Sequence, residues 1–424
     1  MTAFVPLLPA AVALLAAATT AAALPPHPAA ASASAESPVA PYVVVLKDTS
    51  SRAPTRALAA EAADSGDEVG PVYEAALNGF AVRTTAARAA ALAADPRVAS
   101  VEPDAEFHTN TTTNATTSST TGATADTADT ADTPAAPGTQ PQAQASAPWP
   151  LDRIDQRELP LDGSYTYPTR AEGVTVYIVD TGINTLHQEF GGRARFGYNA
   201  VFLGSSRDCN GHGTHVAATV GGETYGVAKG VSLVGVKVAD CRGSGSLSAI
   251  LKGLDWVVKD AAKAPGTPAV ANMSMGGTPS HALDAAVVRA VAAGITFTVA
   301  AGNDGKDACV GSPARVPQAI TVGATDATDR RAPFSSHGPC VDLSAPGVGV
   351  TSAWKDSATA TARASGTSMA APHVAGVAAL VLARGTARTP AQVSEALLRD
   401  AVPDRITALP AGTPNRLLHV PADR

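Results

Sequence analysis

No stretch of the 424-residue chain is strongly basic. Nothing in it would neutralise a row of phosphates, which excludes a nucleic-acid partner. Beyond residue 24 no apolar run is long enough to cross a bilayer, which excludes an embedded membrane protein. Charged residues are few, at 16%, against 45% hydrophobic ones, with 37 glycines and 32 prolines. That balance excludes a disordered chain and suits a globular protein rich in loops. No lysine or arginine precedes Lys47. A secretory leader normally opens with positive charge, so its absence leaves room for a translation start upstream of Met1. The rest of a leader is there: residues 4–24 are almost wholly apolar, and Ala33-Ser34-Ala35 suits signal cleavage. Residues 1–35 therefore read as a signal peptide. The same run could serve as a membrane anchor, but Pro6, Pro9, Pro25, Pro26 and the small-residue tail favour cleavage. The expected location is extracellular, with no stable membrane association.

Cysteine is also scarce. Cys209, Cys241, Cys309 and Cys340 are the full set. An even number in an exported chain suggests two disulfides, and four cysteines allow three pairings. The net charge of -6 is unevenly spread. Residues 36–148 hold 14 acidic and 6 basic side chains, net -8, and residues 149–424 hold 23 and 25, net +2. Opposite signs are compatible with two parts that bind each other, and equally with two unrelated surfaces.

The pattern along the chain divides into three parts after the leader. Residues 36–108 predict a small β-α-β-β-α-β unit of ferredoxin-like order. Its strands are expected at 42–46, either side of the hairpin signal Leu77-Asn78-Gly79, and at 98–107, with helices at 54–63 and 85–94. Residues 109–141 are Thr-, Ala-, Asp- and Pro-rich without apolar periodicity and read as a flexible linker. Asn110 and Asn114 there lie in Asn-x-Thr sequons. From 142 onward strands (174–179, 232–238, 269–273, 295–300, 319–322) alternate with helices (212–220, 247–262, 281–293, 368–383, 389–399). This predicts an α/β domain with a mostly parallel sheet over 142–424.

Three blocks carry chemistry. Ile178-Val-Asp-Thr-Gly-Ile183 puts Asp180 at the end of a buried strand. Asn210-Gly-His-Gly-Thr-His-Val216 puts His212 at a helix start. Gly366-Thr-Ser-Met-Ala-Ala-Pro-His373 puts Ser368 at the start of a long apolar helix. A serine hydroxyl becomes a nucleophile only when a base takes its proton, and an acid behind an imidazole fixes that base. Taken singly, each block has a plainer reading. Asp180 and Ser368 could be helix or turn caps. His212 and His215, with Cys209 nearby, could be a metal site. His215 and His373 otherwise read as packing residues, and the sequon Asn272-Met-Ser274 falls in a buried strand.

Together, in this order and with Val299-Ala-Ala-Gly-Asn303, the blocks resemble the subtilisin-like serine proteases. Ala147-Pro-Trp149, Tyr225-Gly-Val-Ala-Lys229, Asn272-Met-Ser-Met-Gly-Gly277, Cys340-Val-Asp-Leu343 and Asn415-Arg-Leu-Leu418 resemble the proteinase K branch. Residues 40–108 resemble that family's inhibitory propeptide. The resemblance implies a secreted, broad-specificity serine endopeptidase, made as a zymogen and matured by itself, acting on proteins and peptides as a monomer, with its own propeptide as inhibitor. It implies Asp180, His212 and Ser368 as the catalytic residues, and the Asn303 side chain with the Ser368 backbone as the oxyanion hole. Ser274, Met275 and Gly276 should form one wall of the specificity pocket, and Ala300, Ala301 and Gly302 the other. Gly243, Ser244 and Gly245 should be an edge that pairs with substrate backbone. These walls are uncharged, so an apolar substrate residue is expected. Disulfides Cys209–Cys241 and Cys309–Cys340 are implied. So is a structural calcium, held by the carbonyls of Pro317 and Ala319 and the Asp342 carboxylate.

The linker is longer than the family's usual junction. Alignment of Ala147-Pro-Trp149 puts the mature N-terminus near Gln142, although any bond from 109 to 145 is open. Met275 stands where leucine is more usual. No accessory module is expected after the catalytic domain. Two rivals remain. A catalytically dead peptide-binding relative would usually lack a triad residue or Asn303. An α/β-hydrolase esterase would need Gly-x-Ser-x-Gly and the order Ser, acid, His.

Overall fold

A computed structural model describes residues 38–47, 53–109, 111–118, 141–201 and 204–421. The leader, most of the 109–141 tract and Asn110 lie outside the described residues.

The N-terminal unit runs β1 (Val39–Leu46), α1 (Ala53–Asp64), β2 (Glu68–Tyr73), β3 (Gly79–Thr85), α2 (Ala86–Ala93), β4 (Val98–Pro103). Its strands form an antiparallel sheet in the order β2-β3-β1-β4, the ferredoxin-like arrangement. Val44, Leu46, Phe80 and Val82 on one face meet Leu58, Ala62 and Leu92 of the helices.

The strand expected over 98–107 breaks in two. After Pro103 the chain leaves this sheet, and β5 (Glu106–Thr109) pairs elsewhere. The Asp104 backbone N–H still bonds the Pro41 carbonyl at 3.0 Å, while its carboxylate accepts from Ser248. A second departure is β6 (Thr112–Ser118), a strand within the supposed linker.

The larger unit continues with β7 (Gln142–Ala145), α3 (Trp149–Ile154), β8 (Ser164–Tyr167), β9 (Thr175–Asp180), β10 (Ala194–Asn199), α4 (His212–Gly221) and β11 (Ser232–Lys237). Then come β12 (Ser244–Ser246), α5 (Leu247–Ala261), β13 (Ala269–Met273), β14 (Met275–Gly276), α6 (His281–Ala292) and β15 (Ile295–Ala300). The last part holds β16 (Ile320–Thr325), β17 (Leu343–Pro346), β18 (Val350–Ala353), β19 (Thr361–Ser365), α7 (Thr367–Ala383), α8 (Pro390–Asp400), β20 (Val402–Pro403) and β21 (Arg416–Leu417). Nine strands form one sheet, β10-β11-β9-β13-β15-β16-β17-β21-β20, parallel throughout except for β20 against β21.

Strand β9 shows why its sequence is almost all apolar. Val176 and Ile178 face a core shared with α4 and α7, while Tyr177 and Val179 face one shared with α5 and α6. A parallel strand covered on both faces has no side left for polar residues. Helix α7 is apolar all round because it is buried: Ser368 to Leu380 are all within the core. The chain winds from β9 to β10 on one side and on to β13 on the other. Ligand crevices of open α/β sheets lie beyond the carboxyl ends of strands at such a reversal.

Candidate active site

Asp180 is the last residue of β9, fully buried. Its Oδ1 accepts from the Thr181 backbone N–H at 2.7 Å, and its two oxygens lie 2.7 and 2.9 Å from His212 Nδ1. His212 opens α4 directly after Gly211, whose φ of 109° is left-handed. A Cβ at Gly211 would sit 2.4 Å from the Trp354 ring. One on Gly213 would meet the Gly182 carbonyl at 2.1 Å, so glycine alone lets the helix start come this close to Asp180.

Sequence reasoning missed Asp208. Its Oδ1 accepts from Thr181 Oγ1, Asn210 N and Gly211 N at 2.8–3.0 Å, and its Oδ2 from Thr214 N and Oγ1 at 2.9 and 2.6 Å. Thr181 Oγ1 in turn accepts from Gly213 N at 2.9 Å. One buried carboxylate thus ties the loop after Asp180 to the start of the His212 helix. Asp208 lies outside the N-cap position, which Gly211 holds, so the capping rule does not mark it. Lys237, buried beside it, donates to the Thr181 carbonyl at 2.6 Å.

Ser368 is the second residue of α7 and fully buried. Its Oγ–H donates to the Ser274 carbonyl at 3.0 Å, while His212 Nε2 is buried without a hydrogen-bond partner among the described residues. Catalytic hydrogen bonds are commonly long or absent without substrate and tighten only with it in place. Asn303 Nδ2 is likewise buried and unpartnered, and its Oδ1 accepts from Thr367 N and Oγ1, both at 2.9 Å. An imidazole nitrogen, a hydroxyl and an amide N–H are the group types that an acyl-transfer site uses.

Beside these groups lies a cleft of about 540 Å³. Gly276, Ala300, Ala301 and Gly302 line it as expected. Ser274 and Met275 do not: Met275 turns into the core under β5, and Ser274 is taken up in bonding to Ser368. Two carboxylates outside the named walls, Asp304 and Asp307, also border the cleft. Asp304 accepts from Ser336 Oγ at 2.8 Å, and Asp307 caps the turn at 308–310.

Strand β5 lies between β12 and β14, antiparallel to both. Ser244 pairs with His108, Gly245 with Phe107 and Met275 with Thr109, and the Thr109 N–H donates to the Gly243 carbonyl at 2.9 Å. Phe107 is fully buried; a Cβ on Gly277 would meet its ring at 2.6 Å. Carboxylates fasten the two units together. Glu102 accepts from Ala282 N and Ser280 Oγ at the start of α6, at 2.9 and 2.7 Å. Asp104 accepts from Ser248 N and Oγ at the start of α5, at 2.7 and 2.6 Å. In return Asp255 Oδ1 accepts the backbone N–H groups of Glu74, Ala75 and Ala76 at 2.5–3.0 Å. Anions at helix N-termini meet unsatisfied N–H groups and the positive end of the helix dipole.

The sequence profile described as the Subtilase family matches residues 171–419, and that described as Peptidase inhibitor I9 matches residues 41–110. The chain is 51% identical to an extracellular serine proteinase of Thermus sp. (strain Rt41A), over 84% of this chain and 78% of that protein. The chain belongs to the subtilase family. It is 46% identical to proteinase T of Parengyodontium album, over 65% of this chain and 93% of that protein. A crystal structure of a cold-adapted subtilisin-like serine proteinase aligns with a TM-score of 0.62 and 50% identity, over 66% of this chain and all of that one. This subtilase is a serine peptidase preceded by an inhibitor-type propeptide domain.

The remaining polar residues sort themselves around that site. Cys209 is joined to Cys241 and Cys309 to Cys340. With Cys209 bonded and His212 on Asp180, the metal reading of His212, His215 and Cys209 is lost. His215 Nε2 instead faces the Val350 carbonyl at 3.0 Å, and burial lowers its pKa to about 3. His373 Nδ1 lies 2.8 Å from the Met369 carbonyl, with its pKa lowered by burial to about 4. Asn272 is fully buried and bonds Ser274 Oγ and Thr298, so its sequon is closed to modification.

Among the described residues no group of three or more His, Cys, Asp or Glu side chains is set to hold a metal ion. Asp342 Oδ2 accepts from Thr321 N at 2.8 Å, and burial raises the Asp342 pKa to about 6. The positive charge of Arg416 acts against that rise, and a partly buried carboxylate is the kind of oxygen donor calcium takes. No helix among the described residues is long and apolar enough to cross a membrane.

Proposed function

We propose that this subtilase is a secreted, monomeric endopeptidase in which Ser368 attacks the peptide carbonyl. His212 takes the hydroxyl proton through Nε2 and returns it to the leaving amine, which leaves an acyl-enzyme for water to hydrolyse. Asp180 holds the imidazole by Nδ1 and stabilises its cationic form. Asn303 Nδ2 and the Ser368 backbone N–H receive the oxyanion. Removing such a carboxamide costs about 2.7–4 kcal/mol, a range established on subtilisin, itself a member of this family. The observation that supports the reading is the pair of buried, unpartnered nitrogens, His212 Nε2 held behind by Asp180 and Asn303 Nδ2 held behind by Thr367, the residue before Ser368.

Substrate enters as β5 does, as a strand between Gly243–Gly245 and Met275–Gly276, and specificity is broad with a preference for apolar residues beside Ala300, Ala301 and Gly302. Residues 1–35 act as a leader, residues 36–108 as the inhibitory propeptide and residues 142–424 as the catalytic domain. The enzyme releases its own propeptide. Pro317, Ala319 and Asp342 would hold a structural calcium, whose role is to offset the buried carboxylate.

The test is labelling with an active-site-directed fluorophosphonate beside casein hydrolysis. Wild type is expected to lose casein activity in step with one label per chain, on Ser368, and Ser368→Ala to show neither. Label on another serine, or undiminished activity in Ser368→Ala, would refute the assignment.

A further inference from the structure

The path of the chain between the two units locates a cut that the alignment does not. Thr109 pairs with Met275, the neighbour of Ser274, whose carbonyl receives the Ser368 hydroxyl at 3.0 Å. Thr112 pairs with Ser365, three residues before Ser368. Three residues span at most about 10 Å, so the pairings of Thr109 and Thr112 anchor the chain on either side of position 110 close to the residues that flank Ser368. Thr109 and Thr111 line the same cleft as Asn303, and the Thr111 N–H donates to the Thr109 carbonyl at 3.0 Å.

The catalytic body begins much later. Strand β7 (Gln142–Ala145) pairs with β8, and Gln144 Nε2 donates to the Thr224 carbonyl at 3.0 Å. The residues beyond the crossing are held too. β6 adds to the β18–β19 hairpin as a third strand, with Ser118 opposite Thr361, Thr117 opposite Ala362 and Thr116 opposite Arg363. This strand lies on the leaving-group side of the nucleophile, where the C-terminal part of a long substrate would run.

We infer that the zymogen is cut first between Thr109 and Thr112, roughly 30 residues ahead of Gln142, and that β6 then stays on β19 as a strap over the leaving-group side until a second cut near Gln142 removes it. This rests on the proposed role of Ser368. In the first cut the Ser368 Oγ–carbonyl bond forms and the C–N bond breaks. His212 delivers the hydroxyl proton to the new amino terminus, and water converts the ester to the propeptide's terminal carboxylate. The strap remains tethered through Gln142. Its high effective concentration keeps it on β19 although its other end is free.

The full chain, wild type and Ser368→Ala, is followed through maturation by quenched intact mass and N-terminal sequencing, with casein hydrolysis in parallel. The earliest new N-terminus is expected at residue 110, 111 or 112, a later species about 30 residues shorter, and no conversion in Ser368→Ala. A first N-terminus at 119 or beyond in an enzyme that digests casein overturns this inference alone. No cut and no casein hydrolysis overturns the role of Ser368 with it. The strap has its own readout. At equal active-site concentration the first species should cleave an anilide without leaving-side residues as the mature enzyme does, but a peptide extended on that side about fivefold more slowly or worse. Thr116→Pro with Thr117→Pro, which removes two strand N–H groups, should abolish the difference. Equal ratios in the unsubstituted first species and the mature enzyme would refute the strap.

Discussion

The side-chain oxygen of Asn303 accepts two hydrogen bonds from one residue, Thr367, whose backbone N–H and hydroxyl both lie 2.9 Å away. Because Oδ1 is held twice, Nδ2 can face only the other way, toward the carbonyl that Ser368 would attack. Asn303→Ala should lower kcat about 10²–10³-fold with little change in KM, the pattern of an interaction made in the transition state. Thr367→Val keeps one of the two bonds and should lose less, by about tenfold, roughly 1.4 kcal/mol, the net worth of one hydrogen bond. Steady-state kinetics on one peptide anilide checks both; a rise in KM at constant kcat would rule the orienting role out.

Glu102 and Asp104 each cap a helix of the catalytic domain from the propeptide side. Glu102→Gln with Asp104→Asn keeps the shapes and removes both charges. Hydrogen bonds to charged groups contribute about 1.5–3 kcal/mol each, so the processed propeptide should leave at least about tenfold faster. The measurement is the lag before activity appears after cleavage. Ser246 and Ser280 already cap α5 and α6 from within, so the mature enzyme should keep its stability.

Cys209–Cys241 closes a loop of 32 residues that starts directly after Asp208 and ends just before β12. Replacing both cysteines with serine should cost about 3–4 kcal/mol on the chain-entropy account. Cys309–Cys340, of similar span, should cost as much in stability. Only the first should also lower kcat, because Asp208 anchors the start of the His212 helix. Thermal inactivation and kcat of the two double variants separate these effects.

Asp342 has a pKa raised to about 6 in the folded protein, against an ordinary value of 3.8. The folded state therefore holds this proton more tightly than the unfolded one. Its favourable contribution is complete below about pH 4 and is lost as pH rises through 6. A calcium ion would offset that loss, so the gain in Tm on adding calcium should grow between pH 4 and 7. Asp342→Asn should flatten this dependence. A calcium-induced shift of equal size at both pH values would argue against the site.

His215, His373 and His419 move the other way, with burial lowering them to about 3, 4 and 4. Depressed histidines are neutral when folded and take up protons when unfolded. Stability should fall as pH drops below 6.5, and more steeply with calcium bound, since the opposing Asp342 contribution is then removed. Denaturant midpoints across pH 4–7, with calcium and with a chelator, display both slopes.

Most of the architecture was legible because its signals are local. The unbroken apolar run of β9, the Gly before His212 and the Gly before Thr367 each mark a strand end or helix start by chemistry alone. β10, β17 and the β18–β19 hairpin were not foreseen: Ala194–Asn199 is half polar at a sheet edge, and Leu343–Pro346 is four residues long. The break after Pro103 was hidden for a different reason. Nothing in Glu106–Thr109 says which sheet it will join, and its partners, Ser244–Ser246 and Met275–Gly276, are more than 130 residues away. At the site, Asp180, His212, Ser368 and Asn303 were found by type and order. Asp208 escaped because its five hydrogen bonds exist only once the loop is folded. The side chain of Met275 turns into the core while its backbone pairs with Thr109, a division of labour that a motif does not display.

Thr298 Oγ1 donates to Asn272 Oδ1, Asn272 Nδ2 to Ser274 Oγ, and Ser274 Oγ to the carbonyl of Ser368, each at 2.9–3.0 Å and all buried. The nucleophile is thus wired to neighbouring strands at the middle of the main sheet. If Ser368 moves only when that sheet opens, loss of the site should coincide with loss of the fold. Residual activity after heating should then work as a head count of surviving native molecules, with every survivor turning over at the original rate.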